Sequence, residues 1–419
     1  MVGKTSLLLI VLLASTLCAS TQASMPLYSA NTTSSGRAKL YASITRSINN
    51  LSVPLTDTSE DKWMAAFYGM ELISHTSPWE KSRLLYAFDS LNSRSEEFQR
   101  SFLELVYANY PHEFSKDVNR ITRETSNEKI FAMAVEYLAR DNSDSLNITR
   151  LVGLSKLRFP NSDHPIIRSL LFNLVSHSTT PTEVVQTVLN KNYLLGHTVL
   201  YSIQRKNRDF PGLVLIKDSL GHFVQDTTKS IFSVPQLARS LSNLPGYLTN
   251  GNTPQGLFRM HGFAVSHSTF IGPTPNIQLT MPVESPLTFF LQDPGITDSI
   301  WTEQWYSQLL PPAIRNYFPL YGSYFAGLAG RTEIISHGTT VDPQYYHAKT
   351  YFPFTPTEGC LCTKEFWSLV DGKRIDSDQE KLVSALRKAG GPEGYCMVIE
   401  LDDQQKPVGI EELQRFLHQ

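Results

Sequence analysis

A histidine and a cysteine, each beside a glycine, are the residues in this chain best equipped for chemistry. The run Glu333-Ile334-Ile335-Ser336-His337-Gly338-Thr339-Thr340 delivers one pair, and Thr357-Glu358-Gly359-Cys360-Leu361-Cys362 delivers the other, with Cys360 lying 23 positions after His337. A thiol is a weak nucleophile until it loses its proton, and an imidazole nearby in space can take that proton. Gly359 lets the backbone turn sharply ahead of Cys360 and leaves amide N–H groups to face a developing oxyanion. Taken singly, each residue has a plainer reading. A lone cysteine usually packs as a small apolar side chain, and a lone loop histidine is usually satisfied by its neighbours.

The rest of the sequence must position these two turns. At 419 residues, 41% of them hydrophobic and 18% charged, the chain suits a globular protein of two or three domains. A net charge of −2, with Lys and Arg scattered, argues against a nucleic-acid partner. Lys4, an apolar stretch from Leu7 to Leu17 and small residues up to Ala23 read as a secretory signal peptide over 1–23. The expected location is therefore periplasm or cell envelope. Leu17 fits poorly before a lipidated cysteine, so Cys18 is not expected to be a lipoprotein site. No other run is long enough to cross a membrane. The mature chain keeps Cys360, Cys362 and Cys396. An odd number leaves at least one free thiol, and a Cys362–Cys396 pair would leave Cys360 as that thiol.

Residues 24–58 are rich in Ser, Thr and Asn and read as a linker with one short helix from Gly36 to Asn49. Residues 59–195 carry helical periodicity throughout, with Trp63, Phe67 and Met70 on one buried face. Ser77-Pro78 opens the next helix, a capping box is expected at Thr125 and Glu128, and a second at Glu183 after Thr180-Pro181-Thr182. Helices joined by short polar turns suggest a solenoid-like stack. From Gly196 the pattern turns to strands: His197–Ile203, Gly212–Lys217, Leu257–Met260, Met281-Pro282, Leu287–Leu291 and Tyr395–Leu401. Helices are expected over 228–243, Lys364–Leu369, Gln379–Lys388 and Ile410–Leu417. A helical, aromatic insertion over 293–330 interrupts the strands, with Trp301 to Leu310 at helical spacing, and within it Trp305 and Tyr324 are candidate substrate contacts. The expected class is thus α+β: an all-α helical domain followed by a mostly β domain over 196–419.

Three motifs in this β-rich half resemble, in order, those of the L,D-transpeptidase catalytic domain (the YkuD-like fold). They are Thr253-Pro254-Gln255-Gly256 before a strand, Met281-Pro282, and the pair Ser336-His337-Gly338-Thr339 with Thr357-Glu358-Gly359-Cys360. The resemblance covers about residues 197–402 and leaves the helical half unaccounted for. It implies an enzyme acting on peptidoglycan stem peptides through an acyl-enzyme on Cys360, with no cofactor and no metal. By the same resemblance His337 is the base, the Gly338 carbonyl orients the imidazole, and the N–H groups of Gly359 and Cys360 line an oxyanion hole. Thr339 and Glu358 join Trp305 and Tyr324 as expected substrate contacts. Glu358 stands where the family has a second histidine. It would raise the pKa of a nearby thiol, or hold a cationic His337 beside a thiolate. The alternatives are a carboxypeptidase or amidase that uses water at the same site, and a degenerate cell-wall-binding scaffold whose helical half binds a protein partner. His261 and His267 are not expected to be metal ligands.

Overall fold

The computed structural model describes residues 26–160, 163–176 and 179–417; the expected signal peptide and Cys18 fall outside them. The architecture is mixed: a helical region comes first and a large, mostly β sheet follows.

The helical region runs through α1 (Ser34–Ile48), α2 (Glu60–Leu72), α3 (Pro78–Phe88), α4 (Glu96–Asn109), α5 (Ser115–Glu124), α6 (Glu128–Asp141), α7 (Ser145–Arg158), α8 (Pro165–Val175) and α9 (Thr182–Leu189). The expected linker is thus partly helix: α1 and the turn after it send Ile44, Ile48, Leu51 and Leu55 into the helical core. Helices α2, α4, α6 and α8 pack in succession, and Trp63, Phe67, Phe98 and Phe102 fill the space between them. Ser77 caps α3 as expected, with Pro78 in its first turn. Two expected caps differ. Asn127, not Thr125, caps α6 by accepting from the N–H groups of Lys129 and Ile130, because Thr125 is used one step earlier to hold the Asn127 N–H. Helix α9 starts after Pro181 without a side-chain cap, since the Thr180 hydroxyl is paired with that of Tyr317.

The sheet contains β1 (Thr198–Gln204), β2 (Gly212–Lys217), β3 (Val234–Gln236), β4 (Gly256–Ala264), β5 (Asn276–Thr280), β6 (Ile335–His337), β7 (Leu361–Cys362) and β10 (Glu393–Glu400), in the order β3-β2-β1-β10-β4-β5-β6-β7. A separate hairpin is formed by β8 (Glu365–Trp367) and β9 (Arg374–Ser377). The pairs β1–β10 and β6–β7 are parallel. The two edges meet: Leu237, just past β3, exchanges both backbone hydrogen bonds with Cys362 of β7, each 2.8 Å. Strand alternation then sorts the side chains. One face of the sheet (Leu200, Val214, Phe258, Met260, Leu361, Cys396) packs with Leu382, Val383 and Leu386 of α13 (Asp378–Lys388). The opposite face of the central strands is covered by α9, the insertion and α14 (Ile410–Leu417).

Four expected elements are corrected. Met281-Pro282 is a turn just past β5, which ends at Thr280. Leu287–Leu291 is a helix, α10, started by Pro286 and ended by left-handed Gln292; Phe290 packs on Trp301 and Tyr395. Residues 228–243 hold β3 rather than a helix, and Pro235 is tolerated there because the strand lies at an edge. Lys364–Leu369 contains β8, where Glu365 and Trp367 are buried and Phe366 is exposed, a period of two. The insertion is helical as expected, with α11 (Glu303–Ser307) and α12 (Gly322–Leu328). The Cys362–Cys396 disulfide is absent, and both thiols are free. Strands β7 and β10 are four positions apart in the sheet, and Cys396 packs on the α13 side of it, opposite the face of Cys362.

Candidate active site around Cys360

The short parallel pairing of β6 with β7 aligns Ser336 with Leu361 and His337 with Cys362. Ser336 turns to the α13 side, where its hydroxyl accepts from Gln236 at 3.1 Å, and Leu361 joins the α13 core. Alternation therefore puts His337 and Cys362 on the other face, and Cys360, just ahead of β7, lies beside the backbone of Ile335, two residues before His337.

Cys360 is half-buried. Its Sγ accepts the Ile335 N–H at 3.5 Å and lies 3.6 Å from the Glu333 carbonyl, to which the thiol donates. Burial pushes the thiol up to about 11; the Ile335 N–H and the Arg331 guanidinium pull the other way, and Glu358 and Glu333 add to the rise. Glycine is mandatory at 359. Its φ is +117°, and a Cβ there would collide with Arg331 Nη2 and lie 2.7 Å from the Gly251 carbonyl. Arg331 is buried beneath this turn and donates to the carbonyls of Gly246, Gly251 (2.5 Å) and Asn252 (2.8 Å). The Thr253 hydroxyl donates to the Gly359 carbonyl at 2.8 Å. One expectation for the oxyanion hole fails: the Gly359 N–H is already held by the Thr357 hydroxyl at 3.0 Å.

His337 is only 4% exposed. Its Nδ1 lies 2.5 Å from the Gly338 carbonyl, as anticipated. A carbonyl can only accept, so the proton sits on Nδ1 and Nε2 carries the lone pair. Burial drives the imidazole down to about 4, which keeps it neutral at pH 7. No hydrogen bond joins His337 to Cys360 among the described residues; of the two effects open for Glu358, the raised thiol is the one found, and a thiolate–imidazolium pair is not the resting state. Glu358 does not act on His337; it faces Arg100, Glu71 and Glu104 of the helical region.

Sequence reasoning missed three supports. Glu365, fully buried as a side chain, accepts from the Thr339 N–H (3.0 Å), the Thr274 hydroxyl (2.6 Å) and the Ser377 hydroxyl (2.5 Å). It lies so close under Gly338 that a Cβ there would collide with it. Glu284, two residues after Met281-Pro282, accepts from the N–H groups of Met281 (2.8 Å) and Glu333 (2.9 Å). That holds Glu333 at φ 63° and follows Val283 at φ 74°, a strained conformation for a β-branched residue. Arg331 is the third support. Its only sequence signal was an arginine just ahead of an apolar strand.

The other expected contacts do not gather at Cys360. The Thr339 hydroxyl is internal, bonded to Thr355 and the Val341 N–H. Tyr324 is buried against Trp301, Tyr306 and Phe325, and Trp305 donates to Asp298 on the insertion's surface. Both are accounted for within the insertion. A cleft of about 320 Å³ between α8 and the sheet is lined by Phe172, Tyr247, Thr253, Gln255, Phe318 and Glu400 but not by Cys360. It borders the site's supports through Thr253 and through Gly246 and Asn252, whose carbonyls Arg331 holds. Among the described residues no cluster of His, Cys, Asp or Glu could hold a metal ion. His261 pairs with the Thr280 hydroxyl. No family model, curated protein or solved structure matches this chain.

Proposed function

We propose that the chain is an exported, cysteine-dependent acyltransferase of the L,D-transpeptidase type, acting on peptidoglycan stem peptides through Cys360. One observation carries this reading: stretches far apart in sequence converge on one turn. Thr253 holds the Gly359 carbonyl, Glu284 of the Met-Pro loop holds Glu333, Glu333 faces the Cys360 thiol, Ile335 donates to its sulfur, and His337, two residues on, is fixed by Gly338. The mostly β, YkuD-like character of residues 196–419 belongs to the same proposal. So does a solenoid-like role for the helical region as a scaffold for a protein partner, supported by the successive packing of α2, α4, α6 and α8.

In this reading the resting pair is neutral. The thiol proton moves to His337 Nε2 as sulfur attacks the substrate carbonyl, and the imidazolium returns that proton to the departing amine of D-alanine. A thioester on Cys360 remains. Arg331 is the positive charge nearest the sulfur and favours the developing anion. An amine then takes the acyl group, or water does in the carboxypeptidase variant. Incubation with a disaccharide-tetrapeptide and mass spectrometry of the products tests this. Cross-linked dimer lacking one D-alanine supports transfer, tripeptide supports hydrolysis, and unchanged substrate refutes both.

A second reading, a catalytically silent cell-wall-binding scaffold, draws on two observations: the Gly359 N–H is occupied, and Cys360 rests firmly protonated.

A further inference from the structure

Helices α2 and α4 approach the Cys360 turn across a cavity of about 200 Å³ lined by Glu71, Glu104, Glu358, Tyr68, Met64 and Leu241, among others. Its carboxylates are not equivalent. Glu104 is satisfied: Arg100 donates to one oxygen at 2.6 Å and Asn250 to the other at 3.2 Å. Glu71 is 7% exposed, yet its carboxylate has no hydrogen bond or ion pair among the described residues. The Glu358 carboxylate and the Tyr68 hydroxyl likewise have no hydrogen-bond partner among them. A buried carboxylate without a partner is costly. Burial, with Glu104 and Glu358 nearby, holds the Glu71 pKa well above the usual carboxylate range. The cavity therefore gathers unused acceptors beside one cation, Arg100, which bonds Glu104 and whose charge also acts on Glu71 and Glu358 without bonding either.

We propose that this cavity binds a primary alkylammonium group. An ammonium carries three N–H donors and no acceptor, which matches Glu71, Glu358 and the Tyr68 hydroxyl one for one. Met64 and Leu241 provide the apolar wall along which an alkyl chain lies. A chelated metal ion fits less well, because no group of three ligating side chains here could hold one among the described residues. Cys360 does not line the cavity; Glu358, two residues before it, is the link between the cavity and the Cys360 turn. A role for the bound amine as acyl acceptor rests on the acyl-transfer reading above; binding does not.

The test is calorimetric titration of n-pentylammonium into the Cys360→Ala protein at pH 7, with 1-pentanol as the neutral control. Use of that variant keeps binding separate from acyl transfer, so either idea can fail alone. The expected result is saturable one-to-one binding of the amine and none of the alcohol, with Glu71→Gln weakening it at least tenfold. Glu358→Gln, at an exposed position, gives the same loss and decides the matter if Glu71→Gln fails to fold. Absence of saturable binding by the folded protein overturns the proposal. So does binding of the alcohol equal to that of the amine, or amine binding that both substitutions leave unchanged.

Discussion

Gly359→Ala is the sharpest single perturbation of the Cys360 turn. Alanine at φ +117° costs about 1–3 kcal/mol in backbone strain alone. Its methyl also takes the space of Arg331 Nη2, which donates to the Gly251 carbonyl at 2.5 Å. Loss of that charge-assisted bond adds about 1.5–3 kcal/mol. The expected total is roughly 2.5–6 kcal/mol, read as a shift of the urea midpoint at unchanged slope. Chemistry should change with stability. Displacing Arg331 removes a cation that holds the Cys360 thiol down, so alkylation by iodoacetamide at pH 8 should slow. The native protein reports Cys360 cleanly, because Cys362 and Cys396 are 1% and 0% exposed. A stability loss below about 1 kcal/mol with unchanged alkylation would refute the packing of Arg331 beneath this turn.

Three further outcomes follow from the same geometry. With its pKa near 11, Cys360 is thiolate in only about 1 molecule in 10⁴ at pH 7, so alkylation should climb about tenfold per pH unit toward pH 11; a plateau below pH 9 contradicts this. His337→Ala should leave that alkylation profile in place, because the imidazole makes no hydrogen bond to the resting thiol, yet cut acylation by substrate about 10²–10⁴-fold; equal acylation removes His337 from the mechanism. Glu136, buried where α6 meets the sheet-side loops, is pushed up to about 7 from an ordinary 4.5. The folded state thus binds its proton more tightly, and that stability, about 3 kcal/mol, is present below pH 4.5 and lost as pH rises through 7. Tyr247 and Asn173 both donate to its Oε1, which glutamine also offers. Glu136→Gln should match wild type near pH 4.5 and exceed it at pH 8 by about 2–3 kcal/mol; parallel stability–pH curves for the two proteins would contradict the assignment.

Periodicity carried most of the architecture. Trp63, Phe67 and Met70 announced α2, and the apolar runs at 197–203, 212–217 and 395–401 announced β1, β2 and β10, because each buries a face that a regular pattern can display. Short elements were misread where one residue outweighed the pattern: Pro286 turned an apolar pentapeptide into α10, and the alternation of β8 was too brief to register. The His337–Gly338 contact was anticipated only through the family resemblance. Arg331, Glu284 and Glu365 were not, since each acts on the site across a long loop and carries no spacing signal. Whether Cys362 and Cys396 pair was open in the sequence for a similar reason: cysteine counting does not see the four sheet positions that separate β7 from β10.

The central claim is that Cys360 is an acyl carrier. Intact-mass spectrometry after incubation with a carbapenem, which acylates enzymes of the resembled type, tests it most directly on wild type beside Cys360→Ala. The account predicts one covalent adduct on wild type and none on the variant. An unmodified wild-type protein whose Cys360 still alkylates at pH 10, or an adduct that persists in Cys360→Ala, would contradict it.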